Sequence, residues 1–258
     1  MQSSTEKPWQ WQLGAREPQP WWAGYPILAL CIVLCLWYAS LALRFTEGAA
    51  LPAALIWVFA AAVWLGSQIA LAREHLPERF AATFSTIVQA VLPVLATVVA
   101  AIVVLSFKDA VLSIASGVTV FELVAIHILR LAAWGTIAKY RQGQLPRYFY
   151  RFGSIPNFGF AITATSFSAA LFVRAVQPSD WLLIAWSALG AVALLGAAIS
   201  MYLGVPGSAL SSRWRYVQQG REAPALLAFR WPMNLAPAFC GPAFWLAHGL
   251  LIVKVAAP

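Results

Sequence analysis

Charge is what this chain has least of. Asp, Glu, Lys and Arg make up 10% of its residues, against about a quarter in a typical soluble domain. With 61% hydrophobic residues and a mean hydropathy of +0.74, it cannot present a polar surface on every side, which excludes an ordinary soluble globule. Cysteine is scarce as well. Cys31, Cys35 and Cys240 all fall in apolar stretches, which argues against a disulfide framework or a thiolate zinc site. Cys31 and Cys35, four apart, share a helix face and read as small packing groups. There is no Gly-rich phosphate loop, no Gly-x-Ser-x-Gly and no His-Glu-x-x-His, so no enzymatic activity is read from the sequence. No apolar stretch precedes a small-residue cleavage site near the start, so no cleavable leader is expected. The net charge of +8 is scattered over short loops rather than gathered on a polar module. The expected partner is therefore the lipid bilayer and not nucleic acid.

What the chain has in quantity is long apolar runs. Seven are readable, at roughly 26–43, 50–72, 80–105, 110–134, 153–175, 181–204 and 233–256. About 20 apolar residues suffice for a helix to cross the hydrocarbon. The runs are continuous and do not alternate, so they point to helices and not to a barrel. The expected fold is all-α: a polytopic transmembrane bundle of about seven helices, forming one domain over 25–258. Residues 1–24 carry Trp9, Trp11, Trp21 and Trp22 and read as an interfacial lead-in, since tryptophan favours the headgroup layer. Pro93 is expected to kink the third run, and Pro237 and Pro242 the start of the seventh.

Orientation follows from Lys and Arg. With the N-terminus inside, twelve cations fall on the inner side: Lys7, Arg16, Arg73, Arg79, Lys139, Arg141, Arg147, Arg151, Arg213, Arg215, Arg221 and Arg230. Four fall outside: Arg44, Lys108, Arg174 and Lys254. The positive-inside rule then gives N-in, C-out. The two long inner loops, 135–152 and 205–232, mix these cations with Tyr, Trp and Phe. Lys139, Arg141, Arg147, Arg151, Arg213 and Arg215 are accordingly candidates for contact with anionic lipid headgroups or a phosphate-bearing ligand. Topological charge alone also accounts for them.

Two stretches carry a resemblance. RLAAWGTIAKYRQGQLPRYFYRFGSIPNFGF runs from Arg130 to Phe160, with a Gly-x-Leu-Pro-x-x-Phe turn at Gly143, Leu145, Pro146 and Phe149. FRWPMNLAPAFCGPAFWLAHGLLIVK runs from Phe229 to Lys254, with Pro232, Pro237, Pro242 and His248. Together, over about a quarter of the chain, they resemble a loosely defined group of bacterial seven-helix membrane proteins with no assigned activity. That group often has Asp where this chain has Asn157. The resemblance implies a multi-pass protein of a bacterial inner membrane and no particular chemistry.

The acids are the sharpest signal. Glu122 is the only Asp or Glu inside an apolar run, and a carboxylate in hydrocarbon marks a functional site by default. It is expected near the centre of the fourth run, at a depth matching His248 in the seventh. His127 and Arg130 follow it, three residues apart and on one face. Gln89 and Gln68, with Asn157, Thr163, Thr165, Ser166 and Ser168 on the fifth run, extend the polar track. An acid and a histidine at mid-membrane are the elements of a proton relay. The leading expectation is a small transporter or channel working through Glu122, His127, Arg130, His248, Gln89 and Asn157. The bland alternative is that these groups merely tie helices together. Two further readings stand beside it. One is a non-catalytic accessory subunit of a membrane complex, docked through its basic, aromatic loops. The other is a b-type haem anchor ligated by His127 and His248. No other cofactor and no metal is expected. Lys254 lies too near the outer boundary for a retinal Schiff base.

Overall fold

Lipid offers the backbone no hydrogen-bond partner, so a chain this apolar must close each segment's N–H and C=O groups internally. The computed structural model of the chain is accordingly helical, with no strand among the residues it describes: 25–45, 55, 58–66, 108–141, 145, 147–203 and 235–256. We label the helices α1 (Tyr25–Phe45), α2 (Lys108–Gly117), α3 (Val120–Arg141), α4 (Arg147–Phe172), α5 (Asp180–Leu203) and α6 (Gly241–Ala256). A further helical stretch covers 58–66. Among the described residues, four helices are long and apolar enough to cross a membrane: α1, α3, α4 and, over Asp180–Ser200, α5. The run at 80–105 with Pro93, the loop 205–232, and the residues Gln68, Gln89, Arg213 and Arg215 lie outside the described residues.

The exterior is apolar, and a small set of polar groups is buried within a mainly apolar core. Phe59 is 72% exposed, Trp181 80% and Leu189 66%, while His127, Arg130, Asn157, Ser187 and His248 are buried. A water-soluble protein arranges these groups the other way round. The exterior is that of a membrane-embedded helix bundle. α5 shows the pattern along one element. Leu183, Trp186, Ser187, Gly190, Ala193 and Leu194 form a buried stripe at helical spacing, and Leu182, Leu189, Val192, Leu195 and Ile199 point outward.

Small residues and proline set the close contacts. Pro156 has no N–H, so the carbonyl of Phe152 loses its helical donor. The chain answers with a π turn over Tyr150–Ser154, in which the Ile155 N–H reaches back to the Tyr150 oxygen. The freed Phe152 carbonyl lies against Gly196 of α5, where an added Cβ would sit 2.5 Å from it. A similar π turn, Ala236–Cys240, precedes α6 just before Pro242, with the Gly241 N–H bonded to the Ala236 oxygen. α1 packs on this end of the chain. Cys31 and Cys240 bring their sulfurs to 3.7 Å, and the Tyr38 hydroxyl donates to the Ala243 carbonyl.

Two sequence expectations are corrected. The run 110–134 is not one span: α2 ends at Gly117, Thr119 takes an extended conformation, and α3 starts at Val120. The stretch 135–152 is not simply a loop, since α3 continues to Arg141 and α4 begins at Arg147. The ends of the two helices meet there through Tyr140 and Tyr150, stacked at 4.1 Å.

Candidate functional site

Polar side chains converge at mid-depth. Arg130 lies ten residues after the start of α3 and eleven before its end; Gly190 lies ten from each end of the apolar part of α5. Asn157 is ten residues into α4, and His248 is on α6. At about 1.5 Å per residue, Arg130 is roughly 15 Å from either end of its helix. It is 3% exposed, too deep for its guanidinium to snorkel to either surface.

The local backbone brings these groups together. Ile126–Ala133 is a 3₁₀ segment inside α3, and at three residues per turn positions i and i+3 eclipse. His127 and Arg130 therefore stand directly one above the other. Arg130 donates from Nε to Asn157 Oδ1 at 3.1 Å and from Nη2 to the same oxygen, and from Nη2 to the Gly190 carbonyl at 3.1 Å. Its Nη1 lies 3.2 Å from His248 Nε2. The guanidinium carbon sits 4.3 Å from the centre of the Phe160 ring, a cation–π contact in a water-poor setting. Asn157 completes its own bonding by donating Nδ2 to the carbonyls of Gly153 and Ala193, both at 2.8 Å. Every acceptor around the cation is neutral, and no carboxylate among the described residues answers it.

Donor and acceptor roles fix the histidine next to it. Arginine only donates, so His248 Nε2 accepts and the proton lies on Nδ1. That Nδ1–H is 3.0 Å from Ser187 Oγ, whose own hydroxyl faces the His248 carbonyl at 3.4 Å. His127 differs. It is 0% exposed, and neither ring nitrogen has a hydrogen-bond partner among the described residues. Rings alone hold it: His248 stacked at 4.0 Å, and Phe160, Trp186 and Phe244 at 5.5 to 5.6 Å. A buried polar group left without a partner is costly, which sets His127 apart from its hydrogen-bonded neighbours.

Of the residues read from the sequence, His127, Arg130, Asn157 and His248 come together. Glu122 does not join them. It lies two residues from the start of α3, not at its centre. Its carboxylate takes the Thr119 backbone N–H and hydroxyl, and pairs with Arg44 of α1 at 2.5 Å. With the Thr119 hydroxyl accepting from the Glu122 N–H, this is a capping box. Thr163 hydrogen-bonds Trp186, while Thr165 bonds the Ala161 carbonyl of its own helix. Arg147 and Arg151 are exposed at the start of α4, and Arg141, at the end of α3, lies 5.6 Å from the Trp134 ring.

A haem does not fit His127 and His248 as they stand. Axial imidazoles must aim a nitrogen lone pair at one iron from opposite faces of the macrocycle. These rings lie face to face, with no macrocycle's width between them, and both nitrogens of His248 are engaged. Sequence reasoning missed Ser187, Gly190 and the ring cage of Phe160, Trp186 and Phe244, none of which has a local signal. It also missed Arg44. Thr119-x-x-Glu122 was a readable signal, since that spacing opens a helix. No protein-family model, curated protein or solved structure matches this chain.

Proposed function

We propose that the protein is a small multi-pass transporter whose working site is the polar centre of His127, Arg130, Asn157 and His248. In this reading the chain forms seven helices, N-in and C-out, in a bacterial inner membrane. The observation that carries the proposal is the fully buried His127, with two unbonded ring nitrogens beside a mid-span arginine. A group kept only to join helices would be bonded to its neighbour, as Asn157 is. Arg130 organises the centre, and His248 is held in one tautomer by Arg130 and Ser187. His127, free of hydrogen bonds, is the group that gives up and takes a proton. The irregular backbone supports the reading. α3 is 3₁₀ at the site itself, and π turns precede Asn157 and His248. Such segments recur at functional places in helices. Glu122 acts at the end of the path, as a gate tied to Arg44, and not as a carrier at its centre. Lys139, Arg141, Arg147 and Arg151, at the facing ends of α3 and α4, contact anionic lipid headgroups.

The test is proton flux into liposomes carrying the purified protein and a trapped pH-sensitive dye, driven by a potassium diffusion potential. Wild-type liposomes are expected to acidify faster than protein-free ones, and His127→Phe liposomes to match the protein-free rate. Equal rates in wild type and His127→Phe would overturn the proposal.

A further inference from the structure

The polar centre has more donors than acceptors and carries a net positive charge. A guanidinium has five N–H groups. Four are used, by Asn157 twice, by Gly190 and by His248, which leaves one Nη1 hydrogen without a partner among the described residues. His127 adds an unused ring N–H, and it stands directly over Arg130 on the 3₁₀ turn. The Ser187 hydroxyl is committed to His248. So the centre holds a full positive charge, two donors without a partner among the described residues, and no carboxylate among them.

A cation in hydrocarbon that meets only neutral acceptors remains costly. The missing complement is a negative charge that accepts hydrogen bonds. From this imbalance we infer that Arg130 and His127 form a binding site for a small, singly charged anion of chloride size. The inference rests on the transport reading above and names its substrate class.

Size follows from the walls. Phe160, Phe244 and Trp186 surround the rings. On the side of α5, Gly190 is so close that a Cβ there would lie 2.3 Å from His248 and 2.4 Å from Phe160. That side has no slack. The movable wall is His127, since turning it out of its stack breaks no hydrogen bond among the described residues. The anion would take no more than the room that one ring now fills, which excludes a large organic anion.

The experiment follows the melting temperature of the detergent-purified full chain as chloride replaces gluconate at constant ionic strength. An anion that binds only the folded protein raises the melting temperature by mass action. Wild type is expected to rise with chloride, and Arg174→Gln, which removes an exposed arginine just past α4, to rise equally. Asn157→Asp places a carboxylate on the guanidinium and is expected to abolish the chloride dependence. Should that variant not fold, His127→Phe removes the second donor while keeping the ring, and its rise should be several-fold weaker. A wild-type melting temperature indifferent to chloride overturns the inference, as does an equal rise in Asn157→Asp and in His127→Phe. The two proposals fail separately. Proton flux without chloride dependence removes the anion alone. Chloride dependence without proton flux keeps the site and removes the transport reading.

Discussion

Two charges on α3, eight positions apart, are handled in opposite ways. Glu122 lies at the helix start and is answered locally by a capping box with Thr119 and an ion pair with Arg44. Arg130 lies at mid-span and is answered from three other helices by groups that carry no charge. The first arrangement ends one helix and starts another; replacing its parts disturbs one end. The second joins α3, α4, α5 and α6 at a single point, and it remains short of one negative charge among the described residues. A carboxylate in an apolar run drew the eye first, but the charge that organises the interior is the cation.

The comparison breaks most sharply at Arg130. Arg130→Ala strands the Asn157 oxygen, the Gly190 carbonyl and His248 Nε2 in an apolar setting, and is expected to lower the unfolding free energy by about 3 kcal/mol. Denaturation of the detergent-solubilised protein with SDS measures it, and a loss below that of any Glu122 variant would reverse the ranking. Gly190→Ala comes next. The new methyl collides with His248 and Phe160, and overpacking of this kind costs about 1–3 kcal/mol. Gly249→Ala on α6, which meets nothing within 4 Å, should leave stability unchanged in the same titration. At the helix start, Thr119→Ala removes the cap and should cost about 1 kcal/mol. Glu122→Gln keeps the acceptor but loses the half-exposed ion pair, a change of about 0.2–1 kcal/mol. Because that pair is open to screening, the difference between Glu122→Gln and wild type should shrink as salt is added. The smallest effect belongs to His127→Phe. The ring contacts survive and no hydrogen bond is lost, so thermal stability should match wild type within about 0.5 kcal/mol while proton flux disappears. A large destabilisation there would mean that His127 has a partner at the heart of the bundle.

The all-helical class and several of its apolar helices were legible because a bilayer permits few solutions. α1, α4 and α5 fall close to the apolar runs at 26–43, 153–175 and 181–204. The break at Thr119 was misread because hydropathy averages over it: Gly117 and Val118 are as tolerable to a window as any apolar pair, while the Thr-x-x-Glu cap is a two-residue signal. Four members of the centre were also within reach. His127, Arg130, Asn157 and His248 are polar groups in hydrocarbon, which is rare enough to notice. Their partners were not, because Gly190 offers a carbonyl and Phe160 a ring face, and nothing in a sequence marks which of many glycines and phenylalanines will be met by a helix from elsewhere. The 3₁₀ segment that carries His127 and Arg130 is likewise invisible, since Ile126–Ala133 reads as ordinary apolar helix.

The contact between α1 and the end of the chain bears on how the protein is made. Cys31 and Cys240 are neighbours in space and 209 positions apart in order of synthesis. At about 5–20 residues per second, roughly 10 to 40 seconds separate the appearance of the two. Throughout that interval the face of α1 that carries Cys31, Leu34, Cys35, Tyr38 and Leu41 has no permanent neighbour in α6. Lipid, the insertion machinery or the earlier helices must cover that part of the face until Ala236–Ala256 arrives.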